Sequence, residues 1–70
     1  MITLNGAPLT GFVVDADTTV ASLLDHLGVA GGQKGIAVAI NDEVVPRSHW
    51  STHLIADGDR IELIRATQGG

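Results

Sequence analysis

Ile2 and Leu4 alternate with Thr3, and Asn5-Gly6 follows at once. Alternation sends successive side chains to opposite faces of a strand, and Asn and Gly both accept positive φ, so the stretch predicts a two-residue hairpin turn. Leu9 to Val14 reads as the returning strand, with Pro8 weakening the first pairing and Gly11 as a candidate bulge. From Val20 the period changes: Val20, Leu23, Leu24 and Leu27 form the i, i+3, i+4, i+7 stripe of one helix face. Asp17 or Thr18 is expected to cap the helix and Gly28 to end it in the left-handed conformation. Ser22, Asp25 and His26 lie on its polar side, and the stripe requires a sheet to cover it.

Residues 30–35, AGGQKG, predict a flexible loop. In the next run Ile36, Val38 and Ile40 share one face and Ala37 and Ala39 the other, so the bulky face is expected to meet the helix. Asn41-Asp42-Glu43 predicts a tight turn, Val44-Val45 a short strand, and Pro46 its end. A turn-rich crossover containing Trp50 leads to Ala56-Asp57-Gly58-Asp59, the turn before a last strand from Arg60 to Thr67. The order is β-hairpin, helix, two short strands, crossover and final strand. It predicts an α+β fold of the β-grasp, or ubiquitin-like, type: a mixed sheet of four to five strands with one helix packed across it.

Composition narrows the function. The chain has 70 residues, 44% of them hydrophobic. A domain of this size buries only about 60% of the surface its unfolded chain exposes, which leaves little room for a deep substrate pocket. An autonomous enzyme is not expected. There is no cysteine, so disulfides, thiolate zinc sites and catalytic thiols are excluded. No apolar run approaches the roughly 20 residues that span a bilayer, and MITLNGAP is not a signal peptide, so a cytoplasmic protein without a membrane role is expected. Eight acidic and four basic side chains give a net charge of −4. Lys34, Arg47, Arg60 and Arg65 are scattered, which argues against nucleic acid as a partner.

Several candidate sites dissolve on inspection. His49 and His53 stand four apart, but a metal site needs a third ligand and oriented neighbours, and none is evident. GGQKG lacks the Ser or Thr after Lys34 and the glycine spacing of a phosphate loop. Asp57-Gly58-Asp59 is turn chemistry rather than an acid and base pair. Trp50 and Phe12, the two aromatic residues, read as packing anchors. No side chain is assigned catalysis and no bound metal is expected.

Two features point toward a partner instead. By alternation Ile64 and Ala66 lie on the sheet face away from the helix, where Ala37 and Ala39 also fall, giving a shallow apolar surface for docking. The sequence closes on Gln68-Gly69-Gly70. Two residues without Cβ atoms can thread a narrow channel and present an α-carboxylate to another protein's active site. The expected division is a folded domain over residues 1–66 and a flexible Gly-Gly tail over 67–70.

The chain resembles the thiamine-biosynthesis sulfur carrier proteins, the ThiS family of β-grasp fold, over essentially its whole length. The resemblance rests on Ile2-Thr3-Leu4-Asn5-Gly6, on Thr19-Val20 with Leu23-Leu24 and Leu27, on AVAINDEVVPRSHW from Ala37 to Trp50, on DGDRIEL from Asp57 to Leu63, and on Gly69-Gly70. Small subunits of molybdopterin synthase share the two glycines but usually approach them through a bulky, proline-containing segment, where this chain has Arg65-Ala66-Thr67-Gln68. The glycine-rich loop at 31–35 is the one departure from the family pattern.

That resemblance implies a carrier with no bound cofactor. An adenylating enzyme using ATP and magnesium activates the Gly70 carboxylate, a persulfide derived from a cysteine desulfurase replaces AMP to leave a thiocarboxylate, and thiazole synthase takes the sulfur. Gln68 and Gly69 thread the partner's active site, and the carrier alone is expected to be a monomer. A carrier for another pathway and a ubiquitin-like modifier joined through Gly70 remain alternatives, as does a β-grasp interaction domain whose tail is inert. The residues agree with the carrier: without cysteine, sulfur has to be held on a carbonyl.

Overall fold

The computed structural model of the chain describes residues 1–29 and 35–65. Asn5 and Gly6 take φ of 51° and 85°, the two positive values that match a tight turn to the twist of a hairpin. They join β1 (Thr3–Leu4) to β2 (Ala7–Pro8), paired antiparallel as Thr3 with Pro8 and Leu4 with Ala7. The returning strand is thus shorter and earlier than the sequence predicts. Pro8 stands opposite Thr3, whose N–H donates to Asp59 on the other flank, so its nitrogen faces the open edge and the ladder loses no bond there; after Leu9 donates to the Ile2 carbonyl at 3.0 Å the chain leaves the sheet. Gly11, at φ 78°, makes a bend here and not a bulge. Leu9, Phe12 and Val14 still pack on the core from this irregular segment, while Val13 points into solvent.

Helix α1 (Val20–His26) starts one residue later than a Thr18 cap and two later than an Asp17 cap would place it, because the cap is Thr19. Its hydroxyl accepts from the Ser22 N–H at 3.2 Å, and Ser22 Oγ accepts from the Thr19 N–H at 2.9 Å. Thr18 is buried instead, its hydroxyl donating to Asp15 Oδ1 at 3.1 Å and accepting from the Asp15 N–H at 2.8 Å. The N–H groups of Val20 and Ala21 donate to the carbonyls of His53 and Trp50 at 3.0 and 2.8 Å, so the crossover satisfies the helix start. At the other end Gly28 takes φ 77°, its N–H donates to Asp25, and the Val29 N–H donates to Leu24. This is the double closure that a left-handed glycine allows.

The remaining strands are β3 (Ile36–Ile40), β4 (Glu43–Val45) and β5 (Arg60–Arg65). Asn41 and Asp42, both at positive φ, form the two-residue turn between β3 and β4, so Glu43 belongs to the strand. Pro46 ends β4 and opens a single 3-10 turn, Arg47–His49. The sheet order is β2-β1-β5-β3-β4, with β5 parallel to β1 and antiparallel to β3. A mixed five-stranded sheet crossed by one helix is the β-grasp arrangement.

The helix stripe lies on the face carrying Ile2, Val38, Ile40, Val45 and Ile61, with Ile55 and Val29 closing the margins. Val20, Leu23 and Leu24 are fully buried there, and Leu27 is half-buried beside them. Each such side chain contributes about 1.5–3 kcal/mol relative to remaining exposed. Trp50 seals one edge: its ring is buried and its Nε1 donates to the Val45 carbonyl at 3.0 Å, while the Arg47 guanidinium stands 5.5 Å over the ring centre. Phe12 seals another, with its ring 4.9 Å from that of His26.

Candidate functional site

β5 is the strand from which the chain continues toward Gly70, and it occupies the middle of the sheet. Ile61 is buried and Leu63 half-buried on the helix side, so the strand is anchored from below by packing. Two asparagines fix its flanks. In an antiparallel ladder Arg60 would donate to the backbone carbonyl of Asn41, but Asn41, at φ 51°, has left the extended conformation for the β3–β4 turn. Asn41 Oδ1 takes the bond at 2.9 Å, while the Asn41 N–H donates to the Arg60 carbonyl at 2.8 Å. Asn41 Nδ2 in turn donates to Asp59 Oδ1 at 3.0 Å.

The parallel flank repeats the device. The Asn5 N–H donates to the Ile61 carbonyl at 2.9 Å, as a strand residue should. Asn5 then leaves the extended conformation at φ 51°, and its Oδ1 accepts from the Leu63 N–H at 2.9 Å where a strand carbonyl would, with Nδ2 toward the Leu63 carbonyl at 3.4 Å. β1 is only two residues long, so a side chain extends its pairing. Sequence reading recognised both asparagines as turn formers and missed this second role. The Asn-turn signal marks the positions, but the bond crosses 58 residues of sequence and depends on the strand order.

The outer face of the sheet carries the docking residues expected from alternation. Ala37 and Ile64 are directly opposed across β3 and β5; Ala37 is exposed and Ile64 is 53% exposed. Ala39 behaves differently: it is buried, 7% exposed, because it lies between Val44 on one neighbouring strand and Glu62 on the other, whose longer side chains cover its methyl group. Its place at the surface is taken by Val44, 68% exposed, which sequence reading treated only as part of a strand. The surface therefore presents Val44, Ala37 and Ile64 around the carboxylate of Glu62. Arg60, next on this face, pairs with Asp42 at 3.2 Å in a solvent-exposed contact of little energetic weight. Ala66, Gln68, Gly69 and Gly70 lie outside the described residues, as does the loop at 30–34.

The other candidates keep structural roles. Asp59 Oδ2 accepts from the Ala56 N–H at 2.9 Å and Gly58 takes φ 91°, so Asp57-Gly58-Asp59 is a bonded turn. His49 and His53 line a shallow groove of about 420 Å³ with Glu43 and Asp59, and the His53 N–H donates to the His49 carbonyl at 2.8 Å. Among the described residues no three His, Cys, Asp or Glu side chains gather in a metal-holding group.

The sequence model of the ThiS family matches residues 2–70. The chain belongs to the ThiS family. The sulfur carrier protein ThiS of Escherichia coli (strain K12) is 44% identical over 55 residues, which cover 79% of this chain and 80% of that protein. The crystal structure of the thiamine biosynthesis protein ThiS from Geobacter metallireducens superposes with a TM-score of 0.77 at 34% identity, covering 99% of this chain and 97% of that one. Its solution structure gives a TM-score of 0.76 at 32% identity, over 99% and 86% of the two chains. A thiazole synthase from Paramagnetospirillum magneticum is 38% identical over 55 residues, which make up 79% of this chain but 16% of that protein. A segment similar to a ThiS family member therefore occurs within a much longer thiazole synthase chain.

Proposed function

We propose that this ThiS family member carries sulfur on the carboxyl group of Gly70 for assembly of the thiazole ring of thiamine. The observation that supports this most is the family match running through residue 70 on a chain whose central strand leads to Gly69-Gly70. The cysteine-free composition points the same way, since no side chain here can hold sulfur as a persulfide.

A carboxylate is a poor electrophile. In the proposed cycle an oxygen of Gly70 attacks the α-phosphorus of ATP on an adenylating enzyme, pyrophosphate leaves, and the acyl-adenylate carries a good leaving group. The terminal sulfur of a persulfide, supplied by a cysteine desulfurase, attacks the acyl carbon and expels AMP. A thiol of the donor system then cleaves the resulting acyl disulfide, leaving a thiocarboxylate on Gly70 and a disulfide on the donor. Thiazole synthase accepts the sulfur. The segment similar to a ThiS family member within one thiazole synthase supports that pairing of partners. ATP and magnesium act on the adenylating enzyme, and the work takes place in the cytoplasm.

Docking uses the outer face, with Ala37, Ile64 and Val44 as the apolar contacts and with Ala66, outside the described residues, as a further contact expected from the sequence. Gln68 and Gly69 enter the partner's active site ahead of Gly70. The net charge of −4 suits basic grooves and raises the encounter rate at low salt.

Labelled sulfur tests the reading. Supplied as cysteine with the desulfurase, adenylating enzyme, ATP and thiazole synthase, it is expected on this chain first and in the thiazole product afterwards. A product labelled equally well with Gly69 and Gly70 removed contradicts the proposal.

A further inference from the structure

On the outer face of the sheet one carboxylate stands among apolar side chains. Glu62 alternates with the buried Ile61 and the half-buried Leu63, so it leaves β5 on the side away from the helix and is exposed. Across β3 it is opposed by Ala39, and Ala39 by Val44 on the strand beyond. The next row of the same face holds Ala37 and Ile64, about 7 Å further along the strands. Three exposed apolar side chains, at Ala37, Val44 and Ile64, thus stand around a single charge.

No cation among the described residues answers that charge. Arg60, two positions earlier on the same face, gives its guanidinium to Asp42 at 3.2 Å, and the other ion pair among these residues joins the Met1 ammonium to Asp57. Nor does any described residue donate a hydrogen bond to the Glu62 carboxylate, which is therefore held by water alone. On its β1 flank lies a shallow groove of about 530 Å³ lined by Thr3, Asn5, Gly6, Arg60, Ile61 and Glu62 itself. The groove has room for a long side chain reaching the carboxylate from outside.

A partner that covers this face strips the water from Glu62. Desolvating an unpaired charge is costly, and Arg60 is already engaged, so a purely apolar partner surface is penalised. A cation supplied by the partner turns the same penalty into recognition, because only a surface that carries it can dock without loss. We propose that Glu62 is the specificity-determining residue of the outer face, receiving an arginine or lysine of the adenylating enzyme through the groove beside Thr3 and Arg60. Apolar side chains of the same enzyme cover Val44, Ala37 and Ile64. The inference deepens the docking reading above and rests on it. The net charge of −4 draws basic surfaces from a distance, whereas Glu62 selects among them at contact.

The affinity of the full chain for the adenylating enzyme, titrated at several salt concentrations, tests this. Ile64→Glu keeps Glu62 and probes the face alone: unchanged affinity in that variant defeats the docking reading itself. Where Ile64→Glu does weaken binding, Glu62→Gln is expected to bind about thirtyfold more weakly at low salt, with a shallower salt dependence than the wild type. Glu62→Leu enlarges the apolar patch and is nonetheless expected to bind no better than Glu62→Gln. Glu62 is exposed, so both variants keep the wild-type melting temperature. Asp25→Asn removes the same unit of charge from the helix, on the other side of the sheet, and is expected to stay within about twofold. Wild-type or tighter binding by Glu62→Gln or Glu62→Leu overturns the proposal, since the carboxylate would then serve only to keep the face hydrated. Equal weakening in Asp25→Asn overturns it by making net charge the cause. So does a loss that appears with thiazole synthase and not with the adenylating enzyme.

Discussion

Thr19 and Ser22 exchange hydrogen bonds across the first turn of α1, each side chain taking the other's backbone N–H. Thr19→Ala removes one half of that exchange and is expected to cost about 1 kcal/mol of stability, read as a lower urea midpoint with unchanged slope. Trp50→Phe keeps most of the buried area but leaves the Val45 carbonyl without its donor and removes the indole face beneath Arg47. A loss of about 2 kcal/mol is expected in the same titration. Single side chains were read from the sequence with uneven success. Trp50 and Phe12 declared themselves as anchors by size and scarcity, whereas Asp17, Thr18 and Thr19 are all good caps. Only the hydrogen bonding of Thr18 into the Asp15 turn decides among them. The second role of Asn5 and Asn41 was hidden for a different reason: it belongs to the strand lying next to them, not to the hairpins they form.

At the level of elements, periodicity carried the helix and the strands β1, β3, β4 and β5, because each buries one face against the same core. It failed at Leu9 to Val14, where apolar residues pack on that core without sheet pairing. Composition cannot separate a strand from an irregular segment that is also half-buried, and the pairing ends just after Leu9 bonds Ile2. Alternation also identified the outer face of β3 but not its exposure, since the cover on Ala39 comes from β4 and β5. The helix end was legible because Gly28 serves a conformation other residues adopt only with strain. Space is open where its Cβ would stand, so Gly28→Ala is expected to cost about 1–2 kcal/mol from backbone strain alone, with the helix content by circular dichroism retained. A neutral outcome would show that the closure around Asp25 and Leu24 absorbs the change.

Among the described residues the sheet buries one face beneath the helix and leaves the other, with Val44 and Ile64, exposed. Ile64→Glu places a charge beside Glu62 on that face, away from the core, and is expected to weaken binding to the adenylating enzyme by about tenfold without lowering the melting temperature. Unchanged affinity would remove the outer face from the docking account. Function was legible in the sequence at the level of family, through the motifs at residues 2–6, 37–50 and 57–63 and the terminal glycines, and the family match bears that out. The exposure of the outer face was only half legible, since Ala37 and Ile64 are exposed as expected while Ala39 gives way to Val44.

The central claim places the chemistry on the main-chain carboxyl of Gly70 and on no side chain. Intact-mass measurement after incubation with the adenylating enzyme, ATP and a persulfide donor, followed by fragmentation, tests it most directly. The account predicts exchange of one oxygen for sulfur, confined to the fragment ending at Gly70. An unchanged mass, or sulfur found on any other residue, contradicts it.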